Sequence, residues 1–94
     1  MYELLFDQAV ENDLSIPSRE EQRFILASLE RLSRFYSESY ERELLKAGIL
    51  RRLDGEWEGF YRLRLRTFRA IFKKQDDALI IFVVRSRLRS DIER

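Results

Sequence analysis

The sequence contains no cysteine and no histidine. The first absence excludes disulfides, thiolate nucleophiles and zinc or iron–sulfur sites built on cysteine. The second removes the usual acid/base side chain and the commonest metal ligand. No metal and no cofactor are therefore expected, and any chemistry falls to Asp, Glu, Lys, Arg, Tyr, Ser or Thr. There is also no long apolar run. The amino end, MYELLFDQAVEND, is acidic and reads as neither a secretory signal nor a membrane span. The cytoplasm is the default expectation, with no membrane partner. Linkers, repeats and low-complexity segments are missing too, so residues 1–94 are expected to form a single domain.

What is present is charge, and much of it is arginine. Charged residues make up 37% of the chain, above the usual quarter, against 45% hydrophobic and 13% aromatic. The net charge of +1 hides an asymmetry. Residues 1–47 carry 6 basic and 10 acidic side chains, whereas residues 48–94 carry 12 basic and 7 acidic, a net +5. Fifteen of the eighteen basic residues are arginine, whose fork fits phosphate and carboxylate better than an ammonium does. An arginine-rich half points to a polyanionic partner.

Hydrophobic spacing predicts an α+β chain. Tyr2 to Phe6 reads as a strand and Asp7 to Leu14 as a short helix, ended by Ser15 to Pro17. Ser18-x-x-Glu21 fits a capping box for a helix over about Arg19 to Tyr36, with Ile25, Leu29, Leu32 and Tyr36 as its buried stripe. Tyr40 to Ala47, followed by Gly48, could add a third helix. The last forty residues switch to a strand pattern. Strands are expected near 57–65, 68–74 and 78–86, forming an antiparallel meander. The order is β, α, α, (α), β, β, β, with the helices on one face of a twisted antiparallel sheet.

A turn at Arg66-Thr67 sets Leu65 against Phe68 and Arg64 against Arg69. A turn over Gln75–Asp77 sets Lys74 against Ala78 and Arg69 against Val83. Alternate residues share a face. One face then holds Tyr61, Leu63, Leu65, Phe68, Ala70, Phe72, Ile80, Phe82 and Val84, a core for the helices to cover. The other holds Arg62, Arg64, Arg69, Ile71, Ile81, Val83 and Arg85, with Arg87 continuing the same parity. The ordinary alternative is a solvated charged face. Yet like charges set opposite each other destabilise a sheet, and a local rule broken without compensation is where a functional site is expected.

These residues resemble a known family. Leu53-Asp54-Gly55-Glu56-Trp57-Glu58-Gly59-Phe60-Tyr61-Arg62-Leu63-Arg64 is similar to the L-x-G-x-x-x-G-x-[YW]-R-x-R stretch of RelE/ParE-type toxins. Phe68-Arg69-Ala70-Ile71-Phe72 resembles their Y-R-[VL]-[VI]-Y strand, and Asp76-Asp77 with Leu79 to Val84 their turn and final strand. Phe6, Ala9 and Asp13-Leu14 fit a weaker amino-terminal pattern.

The resemblance implies the toxin of a type II toxin–antitoxin pair, silenced by a cognate antitoxin. RelE-like members cut mRNA on the ribosome. ParE-like members poison DNA gyrase, and a degenerate toxin kept for antitoxin binding is a third option. Carried over residue by residue, Arg69 matches the family's most characteristic arginine, Arg62 and Arg64 stand at basic positions, and Arg87 matches a basic or histidine position. Arg62, Arg64, Arg69 and Arg87 are thus the candidate catalytic set, and with Arg85 the candidate RNA-binding set. Ile71, Ile81 and Val83, apolar residues among those charges, are the candidate antitoxin contacts.

RNA cleavage by attack of a 2′-OH needs a base, charge on the phosphorane and an acid. Guanidinium suits the second role and cannot fill the first. Tyr61, Lys73, Asp91 and Glu93 are the candidate bases, and each has an ordinary structural or solvated reading.

Overall fold

In a computed structural model, which describes residues 1–86, three helices cover one face of a five-stranded sheet. The elements run β1 (Glu3–Phe6), α1 (Val10–Leu14), α2 (Arg19–Phe35), α3 (Glu38–Lys46), β2 (Leu50–Arg52), β3 (Phe60–Leu65), β4 (Phe68–Gln75) and β5 (Ala78–Ser86). A 3-10 turn at Gly55–Trp57 leads into β3. None of the described helices is long and apolar enough to cross a membrane.

The helix ends follow the sequence chemistry. Ser18 Oγ accepts the Glu21 backbone N–H at 3.1 Å, and Glu21 Oε1 accepts the Ser18 N–H at 2.9 Å. This is the expected capping box, and Ser18→Ala is expected to cost about 1 kcal/mol in a thermal or urea melt. Helix α3 forms as well. Ser37 caps its start by accepting from the Tyr40 N–H, and Gly48 at φ 77° ends it. The Gly48 and Ile49 N–H groups donate back to the carbonyls of Leu45 and Leu44, the paired pattern of a Schellman motif.

The sheet order is β1-β5-β4-β3-β2. Strand β1 lies parallel to β5, so the sheet is antiparallel everywhere but at this edge. Strand β2 has no counterpart in the sequence reading. It pairs Leu50 with Leu63, Arg51 with Arg62 and Arg52 with Tyr61. Beyond Phe6 the chain leaves the edge of β5, and a side chain takes over its ladder: Asp13 Oδ2 accepts the Val84 N–H at 3.0 Å.

The first hairpin has the expected register, Leu65 against Phe68 and Arg64 against Arg69. Its turn places Arg66 at φ 57°, and the Arg66 guanidinium lies 3.8 Å from the centre of the Phe24 ring. The second hairpin differs from expectation. Its turn holds two residues, Asp76 and Asp77, with Asp76 at φ 55°, so Gln75 faces Ala78 and Lys74 faces Leu79. Aspartate tolerates the left-handed region better than most residues do. A bulge follows. Ile81 pairs with Phe72 and Val83 with Ile71, leaving Phe82 as the extra residue. Arg69 consequently faces Arg85 rather than Val83.

Three placements are corrected by this shift. Ile80 and Phe82, expected in the core, lie on the outer face. Ile81, expected beside the arginines, lies in the core at 0% exposure with Leu79. The bulge then restores parity, so Val84 points inward as expected. The core otherwise joins Val10, Ile25, Leu29, Leu32 and Tyr36 of the helical layer to Leu50, Leu63, Leu65, Phe68, Ala70 and Phe72 of the sheet.

One charged cluster ties the layers together. Glu41 of α3, only 8% exposed, accepts from Tyr36 Oη at 2.7 Å, Lys74 Nζ at 2.8 Å and Arg52 Nη2 at 3.0 Å. Lys74 Nζ also lies 5.3 Å and 5.5 Å from the Tyr36 and Tyr61 ring centres. Burial alone would raise the Glu41 pKa, but the hydrogen bonds from Lys74 and Tyr36 and the charges of Lys74 and Arg52 outweigh it and hold the carboxyl below its ordinary 4.5. Burial likewise works against the Lys74 ammonium, yet its bond to Glu41 carries its pKa above 10.5.

Candidate nucleic-acid interface

The helix-free face of the sheet is ordered in rows, because directly paired residues share a face. Strand register gives three of them. At one end Arg64, Arg69 and Arg85 lie side by side on β3, β4 and β5. Next come Arg51, Arg62, Ile71 and Val83 on β2 to β5. Then come Phe60, Lys73, Ile80 and Leu5 on β3, β4, β5 and β1.

Five arginines therefore share one face among the described residues: Arg62, Arg64, Arg69 and Arg85, as expected, plus Arg51. Arg51 was not foreseen as a site residue because β2 is only three residues long. The signal for it was present only as the doublet Arg51-Arg52, whose members the strand sends to opposite faces. Arg87 lies outside the described residues, as do Asp91 and Glu93.

The arginines differ in their surroundings. Arg64 is exposed, and at its end of β3 a cavity of about 460 Å³ opens on the helical side, lined by Phe24, Arg31, Leu32, Leu44, Leu63 and Leu65. Arg69 is half-buried, and its Nη1 is shielded from solvent. Arg85 Nε lies 3.5 Å from Asp13 Oδ1, which offsets part of its charge. Arg66, at the tip of the first hairpin, is committed to the Phe24 ring.

The candidate bases separate clearly. Tyr61 stacks on Phe72 at 5.3 Å and 12° on the helical side of the sheet, away from the arginines. Lys73 is on the arginine face, with Nζ 5.8 Å from the Phe60 ring centre, but stands four residues from Arg69 along β4, about 13 Å. Asp13 has both oxygens engaged, one by the Val84 N–H and one by Arg85. Among the described residues, then, the arginine rows can bind and polarise phosphate, and no side chain in them is suited to take a proton from a 2′-OH. No cluster of acidic residues able to hold a metal ion occurs among the described residues either.

The expected antitoxin contacts need revision on the same grounds. Ile81 is in the core, Ile71 is 2% exposed, and only Val83 of the three offers partial exposure on this face. The apolar surface lies further along, where Phe60 meets Trp57 and Phe82 edge-to-face, each at 5.3 Å, beside Ile80 and Leu5.

No protein-family model and no curated protein matches the sequence. Solved structures do match it. The RelBE2 toxin–antitoxin complex of Mycobacterium tuberculosis contains a chain with a TM-score of 0.62 and 23% identity, the match covering 92% of this chain and 98% of that one. The archaeal RelE–RelB complex of Pyrococcus horikoshii gives 0.64 and 22%, covering 94% and 97%. The RelB–RelE complex of Methanococcus jannaschii gives 0.65 and 16%, covering 89% and 91%. Nearly the whole length is shared in each case, and the chain has the fold of the RelE-like toxins.

Proposed function

We propose that this chain is the toxin of a toxin–antitoxin pair, and that it cleaves mRNA on the ribosome in the manner of RelE, with its arginine rows gripping single-stranded RNA. The observation that carries this reading is the register: Arg64, Arg69 and Arg85 side by side, with Arg51 and Arg62 in the next row. A sheet gains nothing from like charges set opposite one another, so a polyanion is the natural counterpart. Single-stranded RNA fits, because its phosphates recur at about the spacing of residues on one face of a strand, roughly 7 Å. The solved neighbours are RelE proteins caught with RelB antitoxins. By that likeness this chain has an antitoxin of its own, and it works in the cytoplasm, where ribosomes are.

Binding to a short oligouridylate tests the RNA half directly. Contacts from Arg51, Arg62, Arg64 and Arg69 to four phosphates predict a log–log salt slope of about −3. Arg64→Ala is expected to weaken binding modestly and flatten that slope by about 0.7. A slope near zero, or one that Arg64→Ala leaves unchanged, contradicts the reading.

One observation favours a second reading. No side chain in the arginine rows of the described residues is fit to act as general base. A toxin that only binds, inhibiting DNA gyrase as ParE-like proteins do, needs none. A gyrase supercoiling assay with the purified chain distinguishes the two.

A further inference from the structure

The outer face carries opposite charges at its two ends. The arginine rows occupy one end. At the other, beyond the row Leu5, Ile80, Lys73 and Phe60, lie Glu3 at the start of β1, Glu58 just before β3, and Asp76 and Asp77 in the turn between β4 and β5. The apolar side chains sit between these charges, and some are well exposed: Leu5 is 39% and Trp57 36% accessible.

We infer that this face is the self-complementary interface of a weak two-fold dimer of the chain, with the strands of the two copies antiparallel. The sequence positions fit such an axis closely. Place it in the interface plane, across the strands, between the row of Phe60 and Lys73 and the row of Arg62 and Ile71. Each row then meets the row lying equally far beyond the axis in the second copy. Val83 comes over Ile80 of the second copy, and Arg62 over Phe60, which suits a guanidinium on an aromatic ring. The row of Arg64, Arg69 and Arg85 comes over the row of Gln75 and Ala78, with Asp76 and Asp77 of the turn just beyond it. Arg64 comes toward Glu58, which ends the 3-10 turn just before β3, six positions from Arg64 in the sequence. By symmetry each such contact occurs twice.

The alternatives fit less well. A base-stacking track for RNA would have to run from the arginines onto Trp57 and Phe60, whose surroundings include Asp54, Glu56 and Glu58. Three carboxylates against the ammonium of Lys73, 5.8 Å from the Phe60 ring centre, make that end unfavourable for phosphate. A foreign peptide would need acidic, apolar and basic residues in that order along its length. A second copy supplies all three already. The contact is small: strands spaced about 4.8 Å apart make a face roughly 20 Å wide, which places it near the low end of lasting interfaces. Micromolar association is expected. The inference stands apart from RNA cleavage, since it requires only the charges and apolar rows of this face.

Sedimentation velocity of the purified full chain tests it, over concentrations of about 1 to 100 µM. The parent is expected to associate reversibly, less so at high salt, with a blue shift of emission from Trp57, the single tryptophan. Arg64→Glu and Glu58→Arg are each expected to weaken association by about tenfold or more, since each sets like charges against each other. The doubly reversed chain, Arg64→Glu with Glu58→Arg, is expected to recover to within about threefold of the parent, because the pair is restored with its sign exchanged. Circular dichroism confirms that each variant is folded, and both positions are exposed. A parent that stays monomeric throughout, or a double variant no better than the single ones, overturns the proposal.

Discussion

Replacing Arg69 by alanine is expected to reduce growth arrest by roughly 10²–10³-fold while leaving the melting temperature equal to the parent's or slightly higher. The first half follows from its place in the middle of the Arg64–Arg69–Arg85 row, where phosphates on either side must pass it. A donor that meets charge developing in a transition state is worth about 3–4 kcal/mol, and its loss falls on rate more than on affinity. The second half follows from the same row. Arg69 has an arginine directly opposite it on both sides, and removing the middle charge relieves both repulsions. A purely structural Arg69 predicts the reverse: a much lower melting temperature with arrest per folded molecule unchanged. Thermal melts beside growth curves at matched expression separate these outcomes.

The largest expected stability effect belongs to Lys74→Met. Its ammonium is the nearest cation to the buried Glu41 carboxylate, at 2.8 Å. Breaking a fully buried pair from one side costs about 3–5 kcal/mol. The Lys74 side chain is 30% exposed and Arg52 remains, so about 2–3 kcal/mol is expected. Adding Glu41→Leu to Lys74→Met is expected to recover much of that loss, because no uncompensated charge is then left inside. The pH dependence has a fixed sign. The Glu41 pKa is depressed in the folded chain, so its contribution is present above about pH 4.5 and is lost as pH falls through the lowered value. The Lys74 pKa is raised, so its contribution is complete below about pH 10.5 and is lost as pH rises through the raised value. Urea melts from pH 3 to 7 are expected to show a shallower acid loss in Lys74→Met than in the parent. Identical acid limbs in the two proteins contradict the assignment.

How legible this fold is in its sequence depends on how far apart the deciding contacts lie. Helix α2 is readable because its signals are local: a cap three residues from its partner, and apolar residues at helical spacing. The first hairpin is readable because Leu63, Arg64 and Leu65 alternate cleanly and the Arg66-Thr67 turn admits one register. Strand β5 is not. Leu79 to Val84 is an unbroken apolar run, so nothing in it says which residues face the helices. A turn one residue shorter than expected, followed by the bulge at Phe82, then decides between Ile80 and Ile81 for the core.

The candidate site divides along the same line. Arg62, Arg64 and Arg69 lie on the two well-patterned strands, and their common face could be derived. Arg85 lies on that face as derived, but the tighter turn and the bulge together set it against Arg69, a partner the expected register did not give it. Arg51 depends on a strand too short to show a period. Contacts such as Asp13 to Val84, 71 positions apart, and Lys74 to Glu41, 33 apart, belong to the packed chain and leave no pattern in a single sequence.

The most direct test of the central claim, that the arginine face acts on RNA, is mapping of RNA 5′ ends in cells that express the chain without an antitoxin. The account predicts new ends inside translated reading frames, dependent on ongoing translation and absent when Arg69→Ala is expressed at the same level. Intact mRNA alongside growth arrest, with double-strand DNA breaks at gyrase sites instead, would contradict it.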